Sequence, residues 1–200
     1  MSTVERRLRR LGFRRIAGTD EVGRGCLAGP VVAAAVILDG ESVLGVRDSK
    51  QLAPAARLRL FRTILQSSHA VSVGVVEAST IDRINILEAS KLAMKQAVDE
   101  LAVRPEVLLV DAVRVDRLHM PQIPVIHGDA RSVSIAAASI VAKVYRDLLM
   151  ESYDVRYPLY DFASNRGYGT ERQREALKLH GASPIHRMSF EGLSTGRLFD

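Results

Sequence analysis

Ile16-Ala-Gly-Thr-Asp20-Glu21-Val-Gly23-Arg24-Gly25-Cys-Leu-Ala-Gly29-Pro30 is the stretch from which the rest of this chain is read. An apolar lead-in runs into two adjacent carboxylates, and a glycine-rich loop follows. An unbroken apolar run, Val31-Val-Ala-Ala-Ala-Val-Ile-Leu38, comes next. Two acids side by side at a strand end raise each other's pKa unless a cation sits between them. That is costly in a structural element and sensible beside a hard divalent cation, which prefers carboxylate oxygens. Glycine lets backbone approach a ligand closely because it has no Cβ. Arg24, between Gly23 and Gly25, suits a planar, bidentate grip on phosphate. The stretch points to metal beside phosphate; the competing reading is a solvated Asp-Glu pair entering an ordinary glycine turn.

With 200 residues and 47% hydrophobic composition, the chain is long enough for one compact domain with a real core. A formal charge of +5 favours a polyanionic partner without proving one. The single cysteine, Cys26, excludes an intrachain disulfide and fits a reducing, cytoplasmic setting. It reads as a small buried filler, since no base can be placed beside it. No apolar run is long enough to cross a bilayer, so no membrane partner is expected. The basic run Glu5 to Arg15 lacks the apolar segment of a secretory signal and reads as a frayed, solvated lead-in.

Residues 15–21 and 30–38 read as the first two strands, the second covered on both faces. Pro54 to Gln66 has helical spacing, with Leu58, Phe61 and Leu65 on one face. Ala70 to Glu77 alternates as a third strand. One helix is expected from a cap at Ser79 or Thr80 to about Leu101. Glu106 to Asp111 is a short apolar strand ending on an acid, and Ile123 to Ile126 a fifth strand. Ser132 or Ser134 caps a long helix from Ile135 to about Tyr153, whose Ala136-Ala-Ala-Ser139 face is small enough to lie close on a sheet. Thr170 caps a last helix, Glu171 to about His180, stopped by Gly181. This order predicts an α/β fold: a mixed sheet, antiparallel at first and parallel later, with helices on both faces. Sites in such sheets gather at strand ends.

Asp20 with Glu21, Asp111 and Asp129 all interrupt strongly apolar neighbourhoods. One such acid is commonly a structural ion-pair partner; three from separate elements suggest convergence on a shared cation. Four carboxylates suit two Mg²⁺ or Mn²⁺ ions about 4 Å apart. Oxygen ligands only, with no His/Cys spacing, speak against structural zinc. Asp48, Asp82, Asp116, Asp147 and Asp161 read as surface or cap residues. The glycine spacing is not that of a dinucleotide-binding turn, and neither a phosphate-binding P-loop nor a hydrolase nucleophile elbow occurs. The histidines read as structural or surface groups, with His127 and His186 kept as weaker candidates.

The ordered set Ala17-Gly-Thr-Asp-Glu-Val-Gly-Arg-Gly25, Asp48-Ser-Lys50, Asn85-Ile-Leu87, Leu108-Leu-Val-Asp111, Gly128-Asp129, Ser134 to Val144 with Arg146-Asp147, Gly167-Tyr-Gly-Thr170 and His186-Arg-Met-Ser-Phe190 resembles bacterial ribonuclease HII, the type 2 ribonucleases H. The resemblance spans nearly the whole chain. It implies a ribonuclease H-like five-stranded sheet over 15–156, after a basic lead-in at 1–14 and before a C-terminal helical extension at 157–200. It implies an endonuclease acting on RNA–DNA hybrids and 5′ of ribonucleotides embedded in duplex DNA. Asp20, Glu21, Asp111 and Asp129 take the family's metal-binding and catalytic positions, for two divalent ions, Mg²⁺ or Mn²⁺. Gly23, Arg24 and Gly25 take the loop at the ribose 2′-hydroxyl, the group that separates RNA from DNA. Tyr168 takes the position that packs on the sugar. Lys50, Lys143 and Arg146 are candidate phosphate contacts, against a reading as solubilising surface. Water attack in line would leave a 3′-hydroxyl and a 5′-phosphate. Loss of catalysis on a hybrid-binding module, and a phosphatase of small esters, are the alternatives. A monomer is expected, with Gly196-Arg-Leu-Phe199 a candidate for weak contact with a replication clamp. The chain departs from the common pattern at His127, where lysine is frequent, and at Cys26, where proline or alanine is usual.

Overall fold

The computed structural model describes residues 3–39, 53–190 and 193. The Asp48-Ser49-Lys50 motif and the Gly196–Phe199 tail lie outside the described residues. Five strands, β1 (Ile16–Val22), β2 (Val31–Leu38), β3 (Ser68–Val76), β4 (Val107–Asp111) and β5 (Gln122–Val125), form one sheet in the order β3-β2-β1-β4-β5. β1, β2 and β3 pair antiparallel, whereas β4 joins β1 and β5 joins β4 in parallel. This is the mixed sheet that the element order predicts.

β2 is buried at every residue because both its faces are covered. On one face α4 (Ile86–Asp99) packs against Ala33, Ala35 and Ile37. On the other, α2 (Pro54–Ser67) and α6 (Val133–Arg156) enclose Val32, Ala34 and Val36. The alanine face of α6 lies close on the sheet, as its composition predicts. A Cβ on Gly18 of β1 would stand 2.2 Å from the Ser134 carbonyl carbon, so only glycine admits the helix here.

Two expectations are corrected. The helix expected from Ser79 to Leu101 is two helices, α3 (Ala78–Ile84) and α4, broken at Asn85. Asn85 adopts φ +69° and ψ 165°, a backbone conformation that cannot continue a helix. Its side-chain oxygen accepts from the amides of Leu87 and Glu88, which makes it the cap of α4. The basic lead-in, expected to fray, forms α1 (Thr3–Arg10). Leu8 packs on Ile16, Val107 and Leu109, and Glu5 is buried against the start of α6. Its carboxylate accepts from the Ser132 hydroxyl at 2.6 Å and the Ser134 amide at 3.1 Å.

After a short α5 (Gly128–Arg131), α6 runs to Arg156. A 3-10 turn (Pro158–Tyr160), α7 (Phe162–Asn165) and α8 (Glu171–His180) follow. Tyr160, Phe162, Leu177 and Ile185 gather around Met150 of α6 and Ala28 of the glycine loop. The C-terminal layer is thereby attached to the segment between β1 and β2.

Candidate active site

The strand register places the acids. β1 and β4 pair in parallel through Thr19 and Val110, and Asp20 and Asp111 each follow by one residue at the same end. Asp20 is 4% exposed. Its oxygen accepts from the Glu21 amide at 2.9 Å, and the Ser139 hydroxyl of α6 also donates to it. Burial pushes the Asp20 carboxyl up to about 7, and the charges of Glu21 and Asp111 push the same way. Among the described residues no lysine or arginine forms an ion pair with it. The Glu21 carboxyl is also raised, chiefly by burial, against the pull of Arg24, whose guanidinium lies 3.2 Å away. Asp111 accepts from the Gly128 amide at 2.8 Å. Asp129, the next residue, lies in the first turn of α5 and accepts from the Ala130 amide at 3.0 Å.

Asp20, Glu21 and Asp111 thus feel one another's charge, and a backbone hydrogen bond ties the Asp129 segment to Asp111. The set is not closed into a cage: among the described residues, no three acids, histidines or cysteines stand close enough to hold an ion. Mutual repulsion favours such spacing, and each acid has its own nearby donor. The two turns that carry these groups are unusual. Ala112, directly after Asp111, has φ +56°, and His127, directly before Gly128, has φ +54°. Non-glycine residues in this region concentrate at functional sites.

The glycine loop leaves β1 through Gly23, at φ +93°. Arg24 and Gly25 are exposed, and Tyr168 stands 43% exposed nearby on the α7–α8 turn. The amides of Leu27 and Ala28 both donate to the Gly167 carbonyl, and a side-chain hydrogen bond joins Tyr168 to Cys26. Cys26 is free and buried, as its sequence context suggests. A cleft of about 220 Å³ is lined by Glu21, Ser139, Lys143, Tyr168 and Arg57. Lys143 pairs with Asp147 at 2.6 Å and keeps its place on the cleft wall. Asp147 also faces Arg57 at 3.8 Å, so it organises two cations rather than capping a surface turn.

Arg146 is a correction. Expected as a phosphate contact, it is fully buried. Its Nε donates to Pro30 O at 3.0 Å, and its two Nη atoms donate to Arg166 O and Ala28 O at 2.7 and 3.1 Å. The loop accounts for the difference: Lys143 lines the cleft, while the Arg146 side chain, one turn on, runs beneath the loop, whose carbonyls take up its guanidinium. His186 is also settled as structural. Its Nδ1 lies 3.0 Å from the Ser183 amide, its ring packs against Tyr160 and Phe162, and burial lowers its pKa to about 4. His127 is exposed. Asp82, read as a surface residue, tethers the C-terminal segment by accepting from the amides of Met188 and Ser189.

Sequence reasoning passed over Ser139, Arg57 and Arg187. Ser139 precedes Lys143 by four residues, one helical turn, and that spacing was the available signal. Nothing local marks Arg57, and Arg187, although inside the His186–Phe190 motif, reaches its place only through the tertiary fold.

A mixed five-stranded sheet of this order, flanked by helices, is the ribonuclease H fold. The family profile described as Ribonuclease HII matches residues 17–193. A Ribonuclease HII from Listeria monocytogenes is 51% identical over 199 residues, which cover 99% of this chain and 76% of that one. The crystal structure of ribonuclease H2 from Pyrococcus horikoshii aligns with a TM-score of 0.77 at 30% identity, over 92% of this chain and 97% of that one. The RNase HII in a complex with PCNA from Archaeoglobus fulgidus aligns with the same TM-score and identity, over 89% of this chain and 96% of that one. The chain belongs to the ribonuclease HII family, the type 2 ribonucleases H.

No helix among the described residues is long and apolar enough to cross a membrane.

Proposed function

We propose that this chain hydrolyses the RNA strand of RNA–DNA hybrids and cleaves 5′ of ribonucleotides embedded in duplex DNA, leaving a 3′-hydroxyl and a 5′-phosphate. The observation that carries the reading is Asp20: a carboxylate 4% exposed, beside two further acids, with its pKa pushed up to about 7. Such a group is stabilised in its charged form by a cation brought from solution. The donors at hand, Asp20, Glu21, Asp111 and Asp129, are all carboxylates, a set that fits Mg²⁺ or Mn²⁺. The chemistry such ions supply when bound is activation of water and neutralisation of charge at the scissile phosphate.

The chain's own residues hold the substrate around that point. The loop Gly23-Arg24-Gly25 offers the exposed backbone of Arg24 and Gly25 and one guanidinium to the ribose and its phosphates. The exposed ring of Tyr168 packs on the sugar. Lys143 and Arg57 line the cleft beside Glu21 and attract the duplex backbone, as does Lys50. No protein nucleophile is required, in keeping with a single cysteine that is buried. Similarity to the archaeal partner of PCNA supports a weak clamp contact through Gly196–Phe199 of a monomer. A reducing, cytoplasmic setting suits this chemistry.

The test is cleavage of a duplex carrying one ribonucleotide, an RNA–DNA hybrid and an all-DNA control, each with and without chelator. Cleavage of the first two, abolished by chelator, is expected. Binding without cleavage in the presence of Mg²⁺ and Mn²⁺ would make the chain a hybrid-binding module instead.

A further inference from the structure

Two arginines, Arg146 of α6 and Arg187 of the C-terminal segment, are both wholly buried. Neither forms an ion pair with a carboxylate among the described residues. Buried guanidiniums are ordinarily matched by acids, because a desolvated charge is otherwise expensive. Here the match is a set of backbone carbonyls. Arg187 Nε donates to Gly29 O at 3.0 Å and its Nη1 to Arg24 O at 2.9 Å. Arg146 takes Pro30 O and Ala28 O, and reaches across to Arg166 O. Four carbonyls of the segment 24–30 are therefore held from below by two rigid forks. One of those forks also holds the residue two before Tyr168.

The glycines fit this arrangement. A Cβ on Gly23 would stand 2.3 Å from Arg146 Nε. One on Gly167, at φ +83°, would stand 2.3 Å from Ala28 O and 3.2 Å from Arg146 Nη2. The loop and the Tyr168 turn thus approach each other as closely as backbone permits. The Leu27, Ala28 and Gly29 amides complete the seam by donating to Gly167 O and Ile185 O.

We infer that Arg146 and Arg187 are positioning residues for ribonucleotide selection: they lock the Gly23-Arg24-Gly25 loop and Tyr168 into one rigid unit whose spacing matches a single ribose. The inference rests on the reading that these two elements meet the ribose. Neither arginine touches substrate. A duplex with one ribonucleotide offers one correctly placed 2′-hydroxyl, so a loosened unit misses it. A continuous RNA strand offers one at every step and tolerates a shifted register.

Arg146→Lys and Arg187→Lys keep the charge and remove the fork. Single-turnover cleavage of both substrates is measured below each variant's unfolding temperature. On the single-ribonucleotide duplex the maximal single-turnover rate should fall about 100-fold with the half-saturating concentration little changed, the scale of an ångström-level misplacement. On the RNA–DNA hybrid the loss should be several-fold smaller. Equal losses on both substrates, or no loss in a folded variant, would overturn the proposal. Hydrogen exchange on the unaltered chain is independent of how the variants fold. The amides of Leu27, Ala28, Gly29 and Arg187 should be protected together with β2. Their exchange at open-loop rates while Val31–Leu38 stays protected would also overturn it. If the unaltered chain cleaves neither substrate, the reading on which the inference rests falls, and the inference with it.

Discussion

Asp20 and Arg146 are both buried ionisable groups on facing elements, and their surroundings differ. Arg146 has three carbonyl acceptors around its fork, within 3.1 Å. Asp20 has a hydroxyl and one amide as donors, no protein cation among the described residues, and two like charges beside it. The arginine is electrostatically complete within the polypeptide; the carboxylate is not. The difference separates scaffold from chemistry. A buried charge whose needs the chain itself meets holds the structure, whereas one left under repulsion marks where something else binds.

If the contrast is correct, the largest effect falls on the incomplete side. Asp20→Asn and Asp111→Asn should each lower cleavage by about 10³-fold or more, since a metal site supplies several kcal/mol to the barrier. Duplex affinity, measured by titration, should stay within a few-fold. Turnover retained in either variant would show that the incomplete charge is not the reactive one.

The second effect is on stability. Asp20 titrates near 3.8 when unfolded and about 7 when folded, so the native state holds its proton more tightly. The Asp20 contribution to stability is therefore full below about pH 4 and is lost as pH rises toward 7, by up to about 4 kcal/mol. Denaturant melts in chelator across this window should show the loss, and Mg²⁺ or Mn²⁺ should reverse it. Asp20→Asn should flatten the curve; an unchanged slope in that variant would assign the loss elsewhere.

The smallest effect belongs to the completed side. His186 is held neutral by burial, with its pKa lowered to about 4. Its contribution is present above pH 6.5 and is lost as pH falls toward 4, by about 3 kcal/mol. His186→Phe should remove that acid-side loss without changing cleavage at pH 8. A fall in cleavage would place His186 among the reacting groups.

Much of this was legible before folding was considered. β2 could be read because eight apolar residues in a row require cover on both faces, and the alanines of α6 because small side chains imply close approach. The acids could be read because each breaks an apolar run. The helix break at Asn85 was not, since Ser79 to Leu101 keeps helical periodicity while one residue takes a positive φ. α1 was misread because its arginines hide two buried residues, Glu5 and Leu8, which count only once α6 and the sheet are present. Arg146 was misassigned for a related reason: a charged residue on a helix near a site reads as surface until the loop it holds is known.

The contact between Glu5 and the first turn of α6 links distant parts of the molecule. Ser132 accepts from the Ile135 amide and in turn donates to Glu5, while the Ser134 amide donates to the same carboxylate. The N-terminal helix is thus the outer clasp of the rod that carries Ser139 and Lys143. Trimming the first ten residues would unfasten the start of that rod and let the cleft wall slacken from behind.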